Sequence, residues 1–383
     1  MKSIGIVCEY NPFHNGHIYQ INKIKEKYKD YTIIAVMSGH FMQRGDISII
    51  DKWKRTEIAL KNGIDIVIEL PFPFATQSAD FFANGALTIL EELKVEKIIF
   101  GSEIDNIEDL KLIAKTQIDN PIFDKLVNYY SKAGYNYPTA LSKALEEITK
   151  KKIDNPNDLL GISYIKSIYK NTYKIIPESI KRTNNYHDKT ITSSISSATS
   201  IRNAIKEKIS IDNQIPENEK EYLNNYHFIE EFFELLKYKI ITEKDLSIYQ
   251  TVDEGIGPLI KKNIDKTNSL EELINLTKSK RYTYNKIKRM MIHILCNFTK
   301  EKANKMNKIT YIRILGLNNK GRSYLNKIKK EVTIPIISKI TREKDDMLSY
   351  EIETTKIVDI IFKSNLVKRE FNSIIYLGDE KYD

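Results

Sequence analysis

Two histidines, His14 and His17, stand three residues apart just after the apolar run Ile4-Gly5-Ile6-Val7-Cys8 and the segment Glu9-Tyr10-Asn11-Pro12-Phe13. A buried strand that breaks at that segment and restarts as a helix carries both imidazoles on one face of the first turn. Free backbone N–H groups and the positive end of the helix dipole make such a turn a ready phosphate site. Gly16 allows a ligand to come close to the backbone, where a Cβ would obstruct it. Two surface histidines on an ordinary helix are the bland alternative. The strand, turn and helix setting favours an ATP site.

A second cluster lies far along the chain, Ile195-Ser196-Ser197-Ala198-Thr199-Ser200-Ile201-Arg202. Hydroxyl side chains open a helix there and Arg202 follows one turn inside. Adenylyl transfer needs a positioned triphosphate and charge stabilisation at the α-phosphorus, with little need for a protein nucleophile. Histidines, hydroxyls, guanidinium groups and a helix N-terminus supply that. Alone, Ser197 and Thr199 read equally well as a simple N-cap. Paired with the histidine motif, they read as phosphate contacts.

These residues need a frame, and the first hundred positions supply alternating strand and helix signals. Strands are predicted over 4–8, 32–38, 64–70 and 97–100, with helices over 14–28, 51–61 and 78–93. Apolar runs such as IIAVM and DIVIEL suit strands buried on both faces. The fold class that follows is α/β, a doubly wound parallel sheet built from right-handed crossovers. Ligands in such sheets bind beyond the carboxyl ends of the strands, so the loops 9–16, 39–45 and 101–103 are expected to share one crevice. Residues 107–169 read as mostly helical, with a further strand near 175–183. Near residue 210 the polar run IDNQIPENEKEY marks a change of character. The predicted division is 1–210 and 211–383, the second part mainly helical and basic, ending in a mixed segment with strands in KITYIRILGL and VTIPIIS.

Composition sets outer limits. A chain of 383 residues with 41% hydrophobic content can bury more than one core, and no apolar run reaches membrane-spanning length. Two cysteines without metal-ligand spacing, Cys8 and Cys296, give no disulfide framework or zinc site and suit a reducing cytoplasm. The net charge of +9 is uneven: residues 278–330 hold sixteen Lys/Arg against one acidic residue, Glu301. That stretch suits a polyanion, or else forms a solvated basic helix face.

HNGH after a first strand, with ISSATSIR further on, resembles the nucleotidyltransferase superfamily marked by H-x-G-H and by an I-S-S-T-x-I-R-like motif. Longer segments narrow the resemblance: GIVCEYNPFHNGHIYQI, AVMSGHFMQRGD, DKWKRTEIAL, DIVIELPFPFATQSADFFANGAL, IIFGSE, NPNDLLGISYIK and SKRYTYNKIKRM. Together they are similar to the bacterial tRNA(Met) cytidine acetate ligase family. The resemblance implies an enzyme, a ligase that activates acetate with ATP to acetyl-adenylate and releases pyrophosphate. It would then acetylate the N4 amine of the wobble cytidine in elongator tRNA(Met).

By motif, the resemblance implies ATP contacts from Val7, Cys8, Glu9, Tyr10, Asn11, Pro12, Phe13, His14, Asn15, Gly16, His17, Ile18, Tyr19 and Gln20, and from Gly101, Asn157 and Arg182. His14 and His17 would be catalytic, steadying charge on the α-phosphorus. GHFMQRGD would bring His40, Gln43 and Arg44 to the crevice, and Arg44 is assigned to acetate or the pyrophosphate leaving group. Tyr10 and Phe13 would either wall off water from the mixed anhydride or serve as core packing. Magnesium is expected with the triphosphate, although no carboxylate cluster marks a site for it.

For tRNA, the candidates are Lys280, Arg281, Lys286, Lys288 and Arg289, extended by Arg313 and Arg322, with Tyr282 and Tyr284 interleaved to stack an unpaired base. Two other functions compete: an adenylyltransferase for a small phosphorylated metabolite, and a noncatalytic RNA-binding protein.

Overall fold

The computed structural model describes residues 2–135, 137–182, 190–191, 194–222, 225–253, 255–341 and 345–378. Its strands are β1 Ser3–Cys8, β2 Thr32–Ser38, β3 Ile66–Leu70, β4 Lys97–Ser102, β5 Ile176–Lys181, β6 Ile312–Asn318, β7 Ile336–Ile337 and β8 Ile375–Leu377. All belong to one sheet, ordered β5-β4-β1-β2-β3-β6-β7, with β8 also paired to β6. The first five are mutually parallel. β2 and β3 are buried along their whole length, as continuous apolar strands covered by helices should be. The expected α/β architecture is what forms.

From β1 the chain steps outward to β2 and β3, then returns to place β4 on the other side of β1. That reversal opens a crevice beyond the carboxyl ends of β1 and β4. Helix starts follow the capping chemistry of the sequence. Asp51 accepts from the N–H groups of Trp53 and Lys54 at the head of Lys52–Lys61, and Ser78 caps Ala79–Glu92.

After residue 210 the chain is mainly helical, through Phe233–Thr242, Ile256–Ile264, Leu270–Thr277 and Tyr284–Leu295. The strand expected in KITYIRILGL forms as β6, but it joins the first sheet, running antiparallel to β3 with Arg313 opposite Glu69. The compositional change near 210 therefore does not separate two sheets. VTIPIIS contributes only the two residues of β7, and β8 had no counterpart in the sequence reading.

A buried charge network fastens the returning strand. Lys52 Nζ lies 2.5 Å from Glu69 Oε1 and 2.8 Å from Glu370 Oε1. Arg313 meets the other oxygens of the same two carboxylates, at 3.0 Å for Glu69 and 2.5 Å for Glu370. All four residues are shielded from solvent. Two positive and two negative charges thus satisfy one another, as burial demands. Among the described residues no helix is long and apolar enough to cross a membrane.

Candidate active site

His14 is the N-cap of the helix Asn15–Lys27, its backbone extended, and its Nδ1 accepts the Gly16 N–H at 3.0 Å. His17 Nδ1 accepts the His14 N–H at 3.2 Å. A neutral imidazole whose Nδ1 accepts must carry its proton on Nε2. Two backbone donors thereby fix both rings as Nε2–H donors. The rings stack, with centroids 3.8 Å apart. Burial, reinforced by the Arg182 and Arg202 charges, pushes His14 down to about 3. Burial, then His14 and Arg182, holds His17 well below the usual imidazole range. Both are neutral at ordinary pH and still donate, which suits developing charge on phosphoryl oxygens.

Tyr10 and Phe13 are buried and pack their rings against His17, with centroids at 4.7 and 5.3 Å. Of the two roles open to them, packing is what the structure displays, and what they pack is the histidine. Gly16 serves His14 itself: a Cβ there would fall 2.8 Å from His14 Cε1. The two asparagines of the loop are staples. Asn11 exchanges side-chain hydrogen bonds with Ile47 O and Ile49 N, and Asn15 Nδ2 reaches Ser194 O and Asn213 O.

A cavity opens beside the histidines, lined by His14, Gly16, His17, Gln20, Gly101 and Arg182, with Ile195 from the second motif. Gly101 lies one residue before the end of β4, and a Cβ there would lie 3.2 Å from the Arg182 side chain. Asn157 donates to Glu103 Oε1 at 2.5 Å, and Arg182 Nε lies 3.8 Å from the same oxygen. Glu103 is raised by burial first, with Asp158 adding to it. Asp158, fully buried, accepts from the Ser102 hydroxyl and the Glu103 N–H and so sets the end of β4.

In the second motif Ser197 is an N-cap, accepting from Ser200 N at 3.1 Å. Arg202 donates to Asn11 O at 2.6 Å and to the Thr199 hydroxyl at 3.3 Å. The two signatures, distant in sequence, are thus joined by one guanidinium. Val7, Cys8, Pro12, Ile18 and Tyr19 complete the strand end, turn and helix that carry the histidines.

Arg55 was not singled out by sequence reasoning. Fully buried, it donates to Glu9 O at 2.6 Å, Ser38 O at 3.2 Å, Ile50 O at 3.3 Å and also Gly39 O. One side chain therefore clamps the loops that follow β1 and β2. DKWKRTEIAL holds three cations and two acids, so nothing in its composition singles this arginine out. Gln43 meets the crevice through its N–H, which donates to Glu9 Oε1 at 2.7 Å. Arg44, half-buried, feels the charges of Glu9, Arg202 and Glu103 and is lowered by burial. His40 points the other way, its Nε2 4.0 Å from Glu370 in the buried network.

The basic segment divides. Lys280 and Arg281 are exposed, and Lys286 is half-exposed with its Nζ 4.7 Å over the Tyr282 ring. Tyr282 is itself buried and donates to Asp253 O, so it does not offer a stacking face; Tyr284 remains exposed. Lys288 pairs with Asp46 at 2.8 Å, and Arg289 packs against the loop after β2. Arg313 belongs to the buried network and is not on an RNA-facing surface, because its guanidinium is spent on Glu69 and Glu370. Arg322 is exposed beside Tyr376.

A family model described as HIGH Nucleotidyl Transferase matches residues 1–373. The chain belongs to that family. A protein of Oceanobacillus iheyensis named tRNA(Met) cytidine acetate ligase is 39% identical over 390 residues, covering 97% of this chain and 98% of its own. A crystal structure of Thermotoga maritima TmcAL in its apo form superposes with a TM-score of 0.91 at 32% identity, covering 99% of this chain and all of that one. A second structure of the Thermotoga protein, described as bound with alpha-thio ATP, gives 0.88 at 31% identity, with the same coverage. The resemblance read from the motifs is borne out, and the chain is an enzyme of the ligase kind.

Proposed function

We propose that this protein activates acetate with ATP, forming acetyl-adenylate and pyrophosphate, and then acetylates the N4 amine of the wobble cytidine of elongator tRNA(Met). One observation carries the first half: two neutral, stacked histidines held as Nε2–H donors beside a cavity that Gly101 and Arg182 also line. Such donors stabilise charge gained at an α-phosphate without surrendering or accepting a proton. Acetate attacks there, and pyrophosphate leaves. Arg44, in the loop after β2, is the cation proposed to receive acetate or the departing pyrophosphate. The names of the relatives support the second half, as do the exposed cations Lys280 and Arg281.

Magnesium is proposed to arrive with the triphosphate. Among the described residues no three His, Cys, Asp or Glu side chains gather as a cage, so no step is routed through a protein-held ion.

Acetate-dependent exchange between ATP and pyrophosphate in the absence of tRNA tests the first half. Acetylated cytidine in tRNA(Met) tests the second. An adenylyltransferase for a phosphorylated metabolite would show exchange only with that metabolite. A noncatalytic RNA-binding protein would show none.

A further inference from the structure

We infer that Glu103 is a positioning residue of the nucleotide site: from behind the cavity wall it aims the Arg182 guanidinium at the triphosphate and ties Asn157 to the same point. This rests on the ATP reading above and adds a residue to its first step.

Three elements meet at this carboxylate. Glu103 directly follows β4, Asn157 stands in the first turn of the helix Pro156–Lys170, and Arg182 directly follows β5. The Arg182 N–H donates to Ser102 O at 2.9 Å, so the ladder between β4 and β5 runs on to the arginine. Asp158 fixes the Glu103 backbone: its Oδ1 accepts the Glu103 N–H at 3.1 Å and the Ser102 hydroxyl at 2.5 Å. The side chain is fixed separately. Glu103 Oε1 accepts from Asn157 Nδ2 at 2.5 Å and lies 3.8 Å from Arg182 Nε. Arg182 is therefore set against an anion that has little freedom to move.

Glu103 acts through the arginine and not on the ligand. Its Oε2 is closed to solvent, whereas Arg182 lines the cavity beside His14, His17 and Gly101. The arginine stem passes over Gly101, where a Cβ would come within 3.2 Å of Arg182 Cγ and 3.5 Å of its Nη1. A guanidinium is a rigid planar fork, so an anion at Nε sets the direction of both Nη groups. With Nε turned to Glu103, the Nη pair is left for phosphate oxygens, the ligand a guanidinium fork matches best. Charge adds to the geometry. Burial works against the Arg182 cation, and the Glu103 charge, then that of Asp158, offsets it. The plainer role for Glu103 is to close the start of the Pro156–Lys170 helix through Asn157, and the two roles differ in what they couple to.

The test uses the full chain and two readouts, ATP binding without acetate and acetate-dependent exchange. Glu103→Gln keeps the shape and an oxygen for Asn157 but removes the charge that Arg182 faces. ATP affinity should weaken, and exchange at subsaturating ATP should fall by up to about 10²-fold, while the unfolding midpoint holds. Glu103→Asp, which keeps the charge but draws it back by one methylene, should lie between the parent and the Gln variant. Arg182→Ala should weaken ATP by itself. Adding Glu103→Gln to that background should cost no more than about twofold, because the carboxylate then has nothing to aim. The assignment is overturned if the two losses multiply, if the Gln variant binds ATP as the parent does, or if its unfolding midpoint drops along with its affinity. If the unmodified protein shows no acetate-dependent exchange, the two-step reading fails instead, and ATP binding still decides the role of Glu103.

Discussion

Arg313 on β6 faces Glu69 on β3 across their antiparallel ladder, with Nη1 3.0 Å from Glu69 Oε2 and both side chains shielded from solvent. Arg313→Ala leaves Glu69 and Glu370 with only Lys52 between them, and breaking a buried pair costs about 3–5 kcal/mol. Denaturant unfolding should register a loss of that order. A variant as stable as the parent, yet weaker on tRNA, would return Arg313 to the RNA surface.

His17→Ala removes one of the two fixed donors. Losing such a donor costs about 10²- to 10³-fold, and acetate-dependent exchange should fall by that much while tRNA affinity holds. Unchanged exchange would take His17 out of the site.

Lys280 and Arg281 are exposed. Reversing both, Lys280→Glu with Arg281→Glu, should weaken tRNA binding and flatten its salt dependence. Each lost phosphate contact lowers the slope by about 0.7–0.9. Exchange without tRNA should persist. Lys288→Glu should behave differently, because it breaks the pair with Asp46 and disturbs the loop that holds Gln43 and Arg44; there both half-reactions should decline.

Stability should change with pH through two sets of buried groups that act in opposite directions. Burial raises Glu351 to about 8, so the folded chain keeps a proton that the unfolded chain releases above about 4.5. Its contribution is whole at low pH and is lost as pH climbs from about 4.5 through 8, at up to about 1.4 kcal/mol per unit. His14 and His293, held at about 3 and about 4, act the other way. Below about 6.5 the unfolded chain takes up protons that these rings refuse, and stability falls with pH. Glu351→Gln should remove the decline between about pH 4.5 and 8 from melting curves. An unaltered decline would mean that Glu351 is ionised in the fold.

The histidine turn was legible because its residues are local. One strand, one turn and one helix carry His14, Gly16 and His17, and the HNGH spacing needs no long-range information. Glu103 and Arg55 escaped notice because their partners, Asn157 and the carbonyls of the loops after β1 and β2, are brought in by the fold alone. Arg313 was misplaced for a related reason. It lay in a basic stretch, and charge counting treated it as surface. The corrective signal was present in IVIEL and YIRILGL, two apolar strands that each carry one charge of opposite sign. Neither composition nor period says that strands some 240 residues apart are neighbours.

Because β6 covers the outer edge of β3, a piece cut near residue 210 would present a buried apolar strand with its hydrogen-bonding groups open to any passing chain. Self-association, rather than a tidy minimal catalyst, is what such a fragment should yield. The stretches on either side of residue 210 must be made and kept as a single polypeptide.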